Sequence, residues 1–195
     1  NILNELEEEG FIYNNYSETG SNRLYFSEEN GKKIDGIRNY LFSQLDSKKL
    51  TIIQFEYLMY CFIYAIHKVS NTTGVYGAYL KKLNGVAKNK LVMEELDIIE
   101  TDKIIEVYNK NCIDLLDKIN ENDIVYIDPP YNSRQYNSNY HLLETIVSSV
   151  DPKIKIVKGK ESISGLPDNI ESSKSAWCSK SLIEKEIEKI AKCKS

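Results

Sequence analysis

The chain has 195 residues, 42% of them hydrophobic and 28% charged, which is enough for one domain with its own core and ordinary for a globular protein. Its formal net charge of −4 excludes nucleic-acid binding by a global positive field, so such contacts must come from local basic patches. The four cysteines, Cys61, Cys112, Cys178 and Cys193, contain no C-x-x-C pair, which argues against zinc and for reduced thiols in a cytoplasmic protein.

In chain order, Asn1-Ile2-Leu3 runs directly into acidic residues, with no signal peptide. The leading Asn, in place of Met, suggests that an N-terminal piece is absent. Residues 1–26 are polar, carry a turn signal at 17–22, and are expected to be mostly loop. Ser27 is placed to cap a helix whose first turn holds Glu28 and Glu29, where the helix dipole favours acids. Ile34, Ile37, Tyr40, Leu41 and Leu45 follow at helical spacing. Thr51 is placed to cap a second helix through Phe55, Leu58, Phe62, Ala65, Ile66 and Val69. Its apolar stretch at 57–66 is too short to span a bilayer, and Ser70-Asn71-Thr72-Thr73-Gly74 ends it. Residues 1–96 therefore predict a mostly helical subdomain.

The character changes near residue 97. Ile104-Ile105-Glu106-Val107-Tyr108 reads as a strand, 112–119 as a short helix with Leu115 and Leu116 inward, and 123–128 as a buried strand. Residues 140–150 read as helix, 151–176 as a long surface loop, and 181–192 as an amphipathic helix with Leu182, Ile183, Ile187 and Ile190 on one face. The strand–helix alternation predicts an α/β layer with a parallel sheet over 97–195.

At the carboxyl end of the second predicted strand stands Asp128-Pro129-Pro130-Tyr131, the edge where open α/β sheets bind ligands. The exocyclic amino group of adenine is a poor nucleophile because its lone pair is delocalised into the ring. Acceptors on its two hydrogens would free that pair. The Asp128 carboxylate can be one and the Pro129 carbonyl the other, with Pro130 stiffening the turn. Tyr131 can stack on a base drawn out of the duplex. A plain strand end with a surface tyrosine is the competing reading. A specified four-letter string recurs in roughly one chain in a thousand of this length.

Residues 123–144, DIVYIDPPYNSRQYNSNYHLLE, closely resemble the catalytic segment of the Dam-like class of adenine-specific DNA methyltransferases, most of all members from restriction–modification systems. The resemblance implies an S-adenosyl-L-methionine-dependent enzyme with a Rossmann-like catalytic domain and a helical substrate-recognition insert. It implies catalytic roles for Asp128, Pro129, Pro130 and Tyr131, with Asp128 also facing the methyl donor. Residues 107–112 are similar to the family strand whose end contacts the donor's adenine. The family's frequent Asp there corresponds to Asn111, which can bond an adenine edge or simply cap the following helix.

Residues 71–82 resemble the family's substrate-side loop. They offer Tyr76 and Tyr79 as stacking faces and Lys81 and Lys82, followed by Lys88 and Lys90, as phosphate contacts. A solvated, Lys-rich helix end is the alternative. Arg134, Gln135 and Tyr136 follow the motif and are better placed to reach DNA. His141 and Glu144 are one helical turn apart, but two ligands make no metal site.

The family's Gly-rich cofactor segment, roughly Phe-x-Gly-x-Gly, has no counterpart, since no Gly-x-Gly occurs in the sequence. The resemblance thus implies a fragment, the middle of a methyltransferase domain. Its implied partners are double-stranded DNA with a flipped adenine and either a missing N-terminal half or a cognate restriction endonuclease, with no membrane. Methyl transfer to RNA adenine or to a protein glutamine amide is a competing reading. Amide methylases favour Asn at the motif's first position, which is Asp128 here. A non-catalytic DNA-binding or subunit-contact fragment of a split methyltransferase is the alternative from another class.

Overall fold

The computed structural model describes residues 2–130 and 133–192. It is largely helical with one small two-stranded sheet, and its contacts divide it into two units. The first holds residues 1–97 and 137–172, the second 98–136 and 173–195.

The first unit is built around helix α3 (Glu28–Asp46), which lies buried among short helix α1 (Phe11–Tyr16), α2 (Glu18–Ser21) and long helix α4 (Ile52–Val69). Ser27 caps α3 by accepting the Asn30 N–H, as its sequence predicts. Thr51 caps α4 in a reciprocal box with Gln54. Ile34, Ile37 and Leu41 meet Phe62, Ile66, Ile12, Tyr16, Tyr25 and Phe26 in one core.

The expected N-terminal loop is instead partly helical. Gly10 precedes α1 and has no side chain to cap it. Asp35, on α3, does so from 25 positions away, accepting the N–H groups of Gly10 (3.1 Å), Ile12 (2.9 Å) and Tyr13 (2.7 Å). A cap so distant leaves no local signature. Arg38 does the reverse for helix α5 (Tyr136–Val147), donating to the carbonyls of Ile146 and Ser148 and pairing with Asp151 at 2.8 Å.

Residues 151–176 are not a free loop either. Strands β1 (Ile156–Val157) and β2 (Lys160–Glu161) form an antiparallel hairpin whose turn, Lys158-Gly159, has positive φ at both positions. Gly165, at φ +70, lies so close to Tyr16 that a Cβ would strike its ring, and the Tyr16 hydroxyl donates to its carbonyl at 2.7 Å. Buried Arg23 binds Glu161 and the Ser162 carbonyl. The polar composition suggested solvent, but two long-range anchors fix the segment.

The second unit departs furthest from expectation. Residues 104–108 and 123–128 form no strand, and Ile104, Val107 and Ile124 are 93%, 89% and 99% exposed. β-branched, apolar runs favour a pleated, covered surface, but a strand exists only against a partner, and none pairs with them among the described residues. The intervening helix is present as a 3-10 helix, Cys112–Lys118, with Leu115 and Leu116 half-buried. Helix α6 (Ile183–Ala191) closes the unit, leaving Leu182 and Ile187 largely exposed. No helix among the described residues is long and apolar enough to cross a membrane.

Candidate active site

Asp128 lies at the end of the exposed apolar run, itself exposed, with Pro129 and Pro130 half-buried behind it. These three residues line a cavity of about 370 Å³ walled by Leu115, Leu116, Ile119, Val125, Ile127, Trp177 and Ile190. That volume is in the range of small-molecule sites, about 300–1,000 Å³, and the walls are mostly apolar with few polar groups at one edge. Tyr131, the fourth residue of the motif, lies outside the described residues.

Asn111 caps the 3-10 helix, its Oδ1 accepting the Ile113 N–H at 3.2 Å. It lines a second, more polar cavity of about 550 Å³ with Lys110, Asp114, Lys174, Glu186 and Lys189. The two residues nominated for the donor, Asn111 and Asp128, therefore face different cavities. Cys112 and Trp177 line both. Cys112 is an exposed free thiol, whereas Cys61 and Cys178 are buried.

Trp177 was not nominated from sequence. It sits in a short 3-10 helix, Ala176–Cys178, just past the stretch read as surface loop, and is only 8% exposed. A lone tryptophan in a Ser- and Lys-rich segment is the one signal that could have drawn notice. Arg134 and Tyr136 are exposed; the Arg134 carbonyl accepts from the Cys178 thiol and Tyr136 opens α5.

The proposed DNA loop divides. Lys81 and Lys82 are exposed. Tyr76 is fully buried, its N–H donating to the Asn139 carbonyl at 2.6 Å and its hydroxyl 3.4 Å from His67 Nδ1, and burial raises the hydroxyl's pKa. Its ring is core and presents no face to a base, because the loop folds inward around Asn71, which bonds the backbone of Leu24, Leu80 and Asn84. Tyr79 is half-buried, edge-on to Tyr25 at 5.0 Å. His141 is buried between Tyr16 and Tyr25, and burial pushes its pKa down to about 4. No group of three or more metal-ligating side chains occurs among the described residues.

Asp128, Pro129 and Pro130 thus line a mostly apolar cavity. The profile of the D12 class N6 adenine-specific DNA methyltransferases matches residues 2–193. The chain belongs to that family. It is 42% identical over 177 residues to the type II methyltransferase M.FokI of Planomicrobium okeanokoites, covering 90% of this chain and 26% of that protein. It is 37% identical to the type II methyltransferase M.NlaIII of Neisseria lactamica, covering 92% and 52%. It is 36% identical to the type II methyltransferase M.CviAII of Paramecium bursaria Chlorella virus 1, covering 94% and 51%. The chain thus spans about a quarter to a half of the length of these relatives. No solved structure matches it.

Proposed function

We propose that the protein transfers a methyl group from S-adenosyl-L-methionine to the exocyclic amino group of adenine in a specific DNA sequence, as the modification half of a cytoplasmic restriction–modification system. The observation that carries this reading is the family match along residues 2–193, with the Asp-Pro-Pro turn on the cavity as its chemical counterpart. Names of relatives that specify type II methyltransferases support the restriction–modification setting.

The reaction needs the adenine nitrogen's lone pair aimed at the methyl carbon. Asp128 and the Pro129 carbonyl accept the two amino hydrogens and hold that geometry, so most of the catalysis is positioning. Tyr131 stacks on the extruded base. The polar cavity beside Asn111 fits the donor, since the Asn111 amide can hydrogen-bond the edge of its adenine. The donor supplies an electrophilic sulfonium methyl. Lys81, Lys82 and Arg134 contact DNA phosphates, with Tyr79 and Tyr136 beside them. A Rossmann-like sheet and a helical recognition insert are the architecture this reading requires of residues 97–195 and 1–96.

Tritium transfer from labelled donor to DNA tests the assignment. Asp128→Ala is expected to lower kcat by about 10²–10³-fold, the size seen when a positioned polar group is withdrawn from a transition state, with DNA affinity little changed. Equal activity in variant and parent would remove Asp128 from the mechanism.

A further inference from the structure

We propose that Trp177 is the aromatic wall of an adenine-binding cavity and that Gln135 is the residue that positions it; the proposal rests on the methyltransferase reading above. A purine is a flat ring with apolar faces and a polar edge. It fits a slot with apolar walls and a few polar groups along one side. The cavity at Asp128 combines such groups, with Val125, Ile127, Leu115 and Trp177 as apolar lining and Asp128 as the polar one. Indole is the best stacking face among the side chains, and base–aromatic stacking tolerates whichever adenine enters.

A three-residue turn does not hold a side chain in place unaided. The Trp177 turn is tied to the residues just after the motif by three hydrogen bonds. The Ser175 N–H donates to Gln135 Oε1 at 2.7 Å, Gln135 Nε2 donates to the Ser175 carbonyl at 3.3 Å, and the Cys178 thiol donates to the Arg134 carbonyl at 3.3 Å. The aromatic wall is thereby tied to Arg134 and Gln135. Trp177 also carries a loose end, since its Nε1 is buried and has no hydrogen-bond partner among the described residues. Buried indole N–H groups ordinarily find an acceptor.

The adenine can be that of the target base or that of the donor. Trp177 is the chain's single tryptophan, and because it lines both cavities its emission reports on either of them. The protein is titrated with S-adenosyl-L-homocysteine, with L-methionine as the purine-free control, and with duplex oligonucleotides carrying adenine or an abasic site at the target. Calorimetry is run in parallel. Emission is expected to change with a purine-bearing ligand, at the calorimetric midpoint, and not with L-methionine. A response to S-adenosyl-L-homocysteine that Leu115→Arg abolishes and Lys189→Glu leaves assigns the ring to the donor in this cavity, whereas the reverse pattern places the donor in the polar cavity and overturns that assignment. A response to the adenine duplex but not the abasic one assigns it to the target.

Kinetics supply the second arm. Trp177→Phe is expected to keep KM within about threefold, Trp177→Leu to raise it about tenfold or more with a smaller fall in kcat, and Gln135→Ala to move in the same direction as Trp177→Leu. Calorimetric binding with unchanged emission would overturn the role of Trp177 and leave the methyltransferase reading standing. Gln135→Ala kinetics equal to the parent's would overturn the role of Gln135. Absence of both ligand binding and methyl transfer would sink the proposal and the reading together.

Discussion

The helical unit and the motif-bearing unit solve the same problem with different success. In the first, α3 and α4 satisfy their own backbone groups and need only neighbours on their apolar faces; Ile34, Ile37, Phe62 and Ile66 are fully buried. In the second, the most hydrophobic stretches, around Ile104 and Ile124, are among the most exposed in the chain. A helix closes its hydrogen bonds within itself, whereas a strand depends on residues elsewhere. Regions whose order is local become compact here, and regions whose order is pairwise do not.

Hydrogen exchange would sharpen or break that contrast. Amides of α3 and α4 are expected to exchange at least about 10³-fold more slowly, relative to their intrinsic rates, than those of residues 98–110 and 121–128. Comparable protection in both regions would mean that the apolar runs are paired and that the contrast is wrong.

A second expectation concerns charge inside the helical unit. Burial raises the Asp35 carboxyl to about 6 from its ordinary 3.8, against the pull of the backbone N–H groups of Tyr13, Ile12 and Gly10 and of Arg38. Between pH 4 and 6 the native protein holds a proton there that the unfolded chain has released, so this stabilising contribution is lost as pH rises through 6. His141 acts oppositely. Its unfolded ring binds a proton near 6.5 and the native ring only near 4, so its contribution is lost as pH falls through that window. Each is worth roughly 3 kcal/mol, and together they flatten stability between pH 4 and 6. Asp35→Asn should cost about 1–3 kcal/mol, because capped N–H groups lose acceptors, and should leave stability rising with pH. His141→Phe should leave it falling. Urea midpoints at pH 4, 5 and 6 decide it; the same flat profile in both variants would contradict this account.

The smallest effect is expected at the surface of the same unit. Lys81→Ala combined with Lys82→Ala should weaken binding to duplexes of any sequence by a few-fold. It should also reduce the salt slope by about one for each phosphate that the lysines no longer neutralise. An unchanged slope would remove these lysines from the DNA interface.

These contrasts also explain what was legible in the sequence. The caps at Ser27 and Thr51, the periodicity of α3 and α4, and the Asp-Pro-Pro motif are local signals, and each could be read directly. The cap from Asp35 to α1, the clamp of Arg23 on Glu161 and the Gln135 tie to Ser175 join residues 22 or more apart in chain, so no short window of sequence contains them. The stacking role expected of Tyr76 follows from the resemblance of residues 71–82 to the family's substrate-side loop. The burial of Tyr76 depends on Asn71 and Asn139, whose partners the pattern does not reveal. Trp177 was overlooked because polar neighbours disguised a wall of the cavity.

Asp128 is expected to serve the methylation of adenine. The most direct measurement is mass spectrometry of nucleosides from DNA incubated with the protein and isotopically labelled S-adenosyl-L-methionine. The account predicts labelled N6-methyladenine as the sole modified base, and its loss with Asp128→Ala. Labelled methylcytosine, or N6-methyladenine undiminished by that substitution, would contradict it.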